Sequence, residues 1–164
     1  MTQWVTQDRQ GAADLDIRYD PVIITTWWGV ADRAVVDGVF DAMEEVMRKA
    51  QRERRRLVYL SNVAQPGMPT AVVRKHMAER SKRIEDAYPD ISVGSLVVME
   101  SDISRAALKA IQWLMNKGDS MIVVGTLAEA FKRAGDLMEA AGQRRPRLPN
   151  PSEYRPTSPL SKTG

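Results

Sequence analysis

Along this chain the spacing of apolar residues switches repeatedly between two periods, and that switching restricts the fold more than any other feature. Val22-Ile23-Ile24-Thr25-Thr26-Trp27-Trp28, Leu57-Val58-Tyr59-Leu60, Val93 to Met99 and Met121-Ile122-Val123-Val124 are short apolar runs. Strands covered by helix on at least one face read this way. The intervals between them carry helical stripes instead. Val35, Val36, Val39, Phe40, Met43, Val46, Met47 and Ala50 form the first, and Val73, Met77, Ile84, Ala87 and Tyr88 the second. Ile103, Ala107, Ala110, Ile111 and Leu114 form the third, and Leu127, Ala130, Phe131, Ala134, Leu137, Met138 and Ala141 the fourth. All follow the i, i+3, i+4 spacing of an amphipathic helix. Strand–helix alternation of this kind requires parallel strands joined by right-handed crossovers.

The boundaries carry their own signals. Asp32 stands where the first helix needs an N-cap, Pro89 stops the second, and Ser101 or Asp102 caps the third, which ends before Gly118. Thr126 and Glu129 have the spacing of a capping box for the fourth. Upstream, Leu15, Ile17 and Tyr19 alternate with Asp14, Asp16, Arg18 and Asp20, the period of a half-buried strand that Asp20-Pro21 breaks. So short a link to the next strand makes the two antiparallel neighbours. The expected fold is α/β: a mixed, mostly parallel sheet of five strands with an opening antiparallel hairpin and four helices. Residues 1–14 read as an arm or edge strand, 15–142 as the α/β domain, and 143–164 as a flexible, basic, Pro-rich tail holding five of the nine prolines.

Composition removes several function classes. Without cysteine there is no disulfide framework, zinc ribbon or thiolate nucleophile. A single histidine, His76, leaves no His-rich metal site and no ordinary Ser–His or Cys–His relay. No run approaches the roughly 18 apolar residues of a membrane helix, and Met1-Thr2-Gln3-Trp4 lacks the profile of a signal peptide. A cytoplasmic protein is expected. The net charge of +3 divides unevenly: five basic residues and one acidic give residues 143–164 a charge of +4, leaving −1 for the remainder. The dense cluster Arg52-Glu53-Arg54-Arg55-Arg56 sits at a helix end, where cations favour the dipole. No specific nucleic-acid binding is expected from this distribution.

Three segments carry a resemblance: Pro21-Val22-Ile23-Ile24-Thr25-Thr26-Trp27-Trp28-Gly29, Arg105-Ala106-Ala107-Leu108-Lys109-Ala110-Ile111-Gln112-Trp113-Leu114, and Met121-Ile122-Val123-Val124-Gly125-Thr126-Leu127-Ala128-Glu129-Ala130-Phe131. Together with the element order they resemble the STAS domain of anti-sigma-factor antagonists, and more closely its bacterial STAS-like/SEC14-like relatives. The resemblance implies a cytoplasmic signalling module that binds a protein partner and does no chemistry. Antagonists of this kind switch through a phosphorylated Ser or Thr in an Asp-Ser-Ser-Gly-like turn before the second helix. Here the turn reads Ser61-Asn62-Val63-Ala64-Gln65-Pro66-Gly67-Met68-Pro69-Thr70 and lacks that motif. Ser61, Asn62 and Thr70 are its candidate switch or ligand residues, against the plainer reading of Thr70 as the N-cap of the second helix and Ser61 as a strand-end residue.

Among other candidates, Trp27 and Trp28 are strand neighbours whose side chains take opposite faces, so one enters the core and the other is either available to a partner or packed beneath the N-terminal arm, against Trp4. Trp113 lies off the stripe of its helix and is a second partner-binding candidate, and Arg144, Arg145 and Arg147 of the tail are a third. His76, beside Arg74 and Lys75 with only Glu79 as a carboxylate at helical spacing, reads as an ordinary helix residue. Glu100 and Asp102 flank Ser101 at the end of a parallel strand, where a magnesium ion could sit, but capping the next helix explains them more simply. Gly94, Gly118 and Gly125 form no phosphate-cradling motif. No catalytic residue, metal or cofactor is therefore assigned. The expected function is regulatory or scaffolding protein binding, with self-association as one form of it. The alternative is a small-ligand or lipid-binding module with a pocket at the strand carboxyl ends, for which the methionines would supply wall.

Overall fold

The period changes become elements in a computed structural model, which describes residues 3–8, 10–63, 67, 69–100 and 121–157. Six strands, β1 (Gln3–Gln7), β2 (Gly11–Asp16), β3 (Val22–Gly29), β4 (Leu57–Val63), β5 (Ser92–Val98) and β6 (Met121–Val124), lie side by side in chain order. The pairs β1–β2 and β2–β3 are antiparallel, and β3–β4, β4–β5 and β5–β6 are parallel. Three helices are described: α1 (Arg33–Arg52), α2 (Ala71–Ala87) and α3 (Leu127–Ala140). The architecture is α/β with a mixed sheet. The third of the four expected helices, placed after Ser101 or Asp102, falls outside the described residues, and the expected fourth is α3.

Local chemistry sets the helix starts. The Asp32 carboxylate accepts the Val35 N–H at 2.9 Å, Thr70 Oγ1 accepts Val73 N–H at 3.3 Å, and Thr126 Oγ1 accepts Glu129 N–H at 3.2 Å. Each cap satisfies a donor that the first helical turn would leave orphaned. Glu129 reaches back to the Gly125 N–H at 3.3 Å, completing a capping-box-like exchange one residue early.

Pleating divides the core into two faces. Ala13, Leu15, Ile23, Trp27 and Leu57 meet Val35, Val36, Val39, Met43 and Val46 of α1 on one side. Val22, Ile24, Val58, Leu60 and Leu96 meet Ala130, Phe131, Ala134 and Met138 of α3 on the other. Helix α2 rests on α1 and buries only Ile84 outright.

Three expectations need correction. The opening strand is β2, which starts at Gly11 rather than Leu15, and β1 adds a sixth strand at the edge. Position 38 makes that edge strand fit: a Cβ on Gly38 would stand 2.2 Å from Thr6 Cγ2, so β1 can lie close over α1 only with glycine there. Second, Asp14 and Asp16 are fully buried, although their alternation with Leu15 and Ile17 reads as a water-facing side. Third, residues 143–157 are not a free tail. An Asn150 turn, in which Ser152 N–H and Oγ donate to Asn150 Oδ1 at 3.1 and 2.9 Å, delivers Tyr154 into the core at 4% exposure. There its ring meets Tyr19 and, edge-on, Phe131, with centroids 5.9 Å away in both cases. The average composition of the segment is that of a linker, but one aromatic ring with a slot outweighs the average.

Candidate functional site

Helix α2 presents Arg74, Met77, Ala78 and Ser81 toward the sheet, at the 3–4 residue spacing of one helical face. Two of these four are small, and beneath them the strands contribute Ser61 and Ser95. Small residues on both walls leave the space between α2 and the sheet unfilled. The result is a cavity of about 230 Å³ at the carboxyl ends of the parallel strands, the end at which open α/β sheets receive ligands. Trp27, Phe40, Met77, Val97, Met99 and Met121 supply its apolar wall, and Tyr59, Ser61 and Arg74 its polar groups. Trp27 Nε1 donates to Ser61 Oγ at 3.1 Å, which fixes both side chains. Burial pushes the Tyr59 hydroxyl above its ordinary pKa, against the nearby Thr25, Ser61 and Trp27 groups, so it is a neutral hydrogen-bonding group here. Arg74 donates to the Pro69 carbonyl at 2.7 Å, holding its guanidinium at the rim.

The candidate residues fare differently. Trp27 and Trp28 are both buried, at 9% and 6% exposure, so neither indole is available to a partner. Of the two readings of the second indole, burial rather than exposure is what the structure shows: β3 is covered on both sides, and the two indoles enter opposite ones. Trp113, Asp102 and the whole of the third stripe lie outside the described residues. Ser61 is a cavity residue, Asn62 is half-buried next to it, and Thr70 is the N-cap of α2 about to enter the helix that forms the roof. Thr70 is itself exposed. Arg145 is not a tail group: it binds Asp136 at 3.1 Å and Glu139 at 2.8 Å on α3, while Arg144 and Arg147 flank it on the surface.

His76 has the carboxylate partner that helical spacing could not show. Its Nε2 stands 2.6 Å from Asp37 Oδ1 on α1, and Arg80 reaches Asp37 at 2.8 Å and Asp41 at 2.6 Å. Partial burial works against the Asp37 charge, but His76 and Arg80 outweigh it and hold this carboxyl below the usual carboxylate range. The cluster fastens α2 to α1, and its residues are absent from the cavity wall. Among the described residues no group of three or more His, Cys, Asp or Glu side chains is placed to hold a metal ion, and no described helix is long and apolar enough to cross a membrane.

The sequence offers a pocket at this end of the strands only as an alternative, and it does not show the α2 wall: Met77 reads as core and Ala78 and Ser81 as unremarkable helix positions. The available signal was the accumulation of small residues at inward positions of α2, β4 and β5. No family model, curated protein or solved structure matches the chain.

Proposed function

We propose that the chain is a non-catalytic, STAS-like regulatory module that works by binding, and that its site is the apolar cavity between α2 and the sheet, taking a small apolar ligand or lipid. The observation that carries this reading is a cavity walled by Trp, Phe and Met, with a few fixed polar groups at the strand carboxyl ends. Specific small-molecule sites combine an apolar wall with a few convergent polar groups in this way. The element order supports the STAS-like part: an opening antiparallel pair followed by strand–helix repeats. Docking of a protein partner through Trp27 or Trp28 loses its support, because exposing either indole would require opening the core.

Two measurements test the proposal. Native mass spectrometry of gently purified protein should show a retained small ligand, or medium-chain alcohols such as octanol should raise Tm. The variant Ala78→Phe, which fills the cavity from the helix side, should abolish either effect while the protein still unfolds cooperatively. An apo mass together with no response to the alcohols would overturn the cavity as a site. Unchanged binding in Ala78→Phe would place the ligand elsewhere.

A further inference from the structure

At the opposite end of the sheet, three segments far apart in the chain converge on a cleft of about 450 Å³. The turn after β2 contributes Arg18, the link from α1 to β4 contributes Arg55 and Arg56, and the segment after α3 contributes Arg144, Arg145 and Arg147. Among the described residues the only acidic side chain in the lining is Asp20, and it is already engaged by Arg55.

The six guanidiniums divide into two sets. Arg18 is clamped by Asp16 at 2.7 Å, Arg55 by Asp20 and Glu53, and Arg145 by Asp136 and Glu139. Arg145 also lies flat on α3 where a Cβ on Gly135 would stand 2.5 Å from its Cζ, so glycine at 135 is what admits it. These three fix the walls. Arg56, Arg144 and Arg147 make no hydrogen bond or ion pair among the described residues, and they come from two different segments. Uncommitted guanidiniums gathered at one concavity sum to a local positive potential that attracts an anion, and the planar fork of arginine matches phosphate oxygens. The floor includes Tyr19 and Met138, which give the non-phosphate part of a ligand an apolar surface.

We propose that this cleft binds a small phosphorylated ligand carrying at least two negative charges, bridging Arg56 to Arg144 and Arg147. Its volume falls in the range of small-ligand sites, roughly 300–1,000 Å³. The ligand chemistry is that of a diphosphate or bisphosphate, whether free in solution or as a lipid headgroup. The site is separate from the cavity under α2, and either can fail without the other.

Titration calorimetry at low salt tests it, with inorganic pyrophosphate as the probe and sulfate at matched ionic strength as the control. Pyrophosphate should bind about ten-fold or more tightly than sulfate, and the binding should weaken as salt screens it. The triple variant Arg56→Ala/Arg144→Ala/Arg147→Ala, which breaks no hydrogen bond or ion pair among the described residues, should lose at least about ten-fold in affinity with an unchanged apo Tm. A charge-matched control, Lys75→Ala/Arg83→Ala/Arg133→Ala, should bind as the unmodified protein does. Gly135→Val, which evicts Arg145 and leaves the three uncommitted arginines in place, should also weaken binding. Equal affinity in the triple variant, or no preference for pyrophosphate over sulfate, would overturn the proposal. Co-sedimentation with phosphatidylcholine vesicles containing phosphatidylinositol bisphosphate, lost in the triple variant, would assign the same chemistry to a headgroup. Binding to those vesicles that survives the triple variant would count against the cleft.

Discussion

Asp14 and Asp16 are the two residues whose roles change most between sequence and structure. Both sit on β2 with no exposure, and each is held by groups from other segments. Asp16 takes Arg18 through both carboxylate oxygens, with Tyr154 Oη donating at 3.4 Å. Asp14 accepts the backbone N–H groups of Thr26 at 3.1 Å and Thr157 at 3.0 Å. Burial pushes the Asp14 carboxyl up to about 6, with neighbouring Asp16 adding to the rise and the two N–H donors opposing it. A carboxyl whose pKa is higher folded than unfolded binds its proton more tightly in the folded state. Its favourable contribution is therefore complete below about pH 4 and is lost as pH rises to about 6, amounting to about 3 kcal/mol at most. Denaturant unfolding between pH 4 and 7 should show that decline for the unmodified protein, and Asp14→Asn should flatten it. A pH profile unchanged by Asp14→Asn would sink this account. Trp28 supplies a second residue-scale test. Trp28→Ala should cost about 3–5 kcal/mol in the same unfolding assay, as truncation of a buried aromatic does, whereas a surface indole would cost little.

Among the elements, α1 and α2 show how differently a stripe can be used. Helix α1 buries all eight side chains of its stripe, and Ala42 beside them, and forms the main layer over β1 and β2. Its reading from the sequence needed no correction, because eight apolar positions at one period admit only one buried face. Helix α2 carries Arg74, Ala78 and Ser81 on its inward side, so it covers the sheet without filling the space beneath. Its attachment comes instead from His76 and Arg80 on the Asp37 and Asp41 carboxylates. Replacing Asp37 by Ala should therefore loosen α2 selectively: hydrogen exchange should rise across residues 71–87 while α3 keeps its protection. Uniform protection loss would show that the clasp is not local to α2. Conversely, Ala78→Leu should raise stability by roughly 0.5–2 kcal/mol, as cavity filling does, at the expense of any ligand. At the edge, Gly38→Ala should destabilise despite the better helix propensity of alanine, by about 1–3 kcal/mol, since overpacking against Thr6 exceeds that gain. Adding Thr6→Ala should restore part of the loss.

For the molecule as a whole, the decisive contact is the return of the chain's C-terminal part to its first strands. Tyr154 and Thr157 reach Asp16 and Asp14 across 138 and 143 residues of sequence. That return covers the α3 face of β2 and β3, buries two carboxylates, and brings Arg144 and Arg147 beside Arg56. Removing residues 148–164 should accordingly lower Tm and expose Tyr19 to solvent, where a dispensable tail would leave both unchanged. Much of the remainder was legible in the chain's own pattern. The alternation of strand and helix, the parallel core of β3 to β6, and the caps at Asp32, Thr70 and Thr126 all rest on interactions within a few residues, so period and spacing are enough to read them. Lateral arrangement was not legible. Whether Trp28 is covered, which carboxylate His76 meets, how much room α2 leaves above Ser61 and Ser95, and which arginines share a cleft are all contacts between segments distant in sequence. Side-chain periodicity specifies which face of an element is buried, but what covers that face is set only when the elements pack.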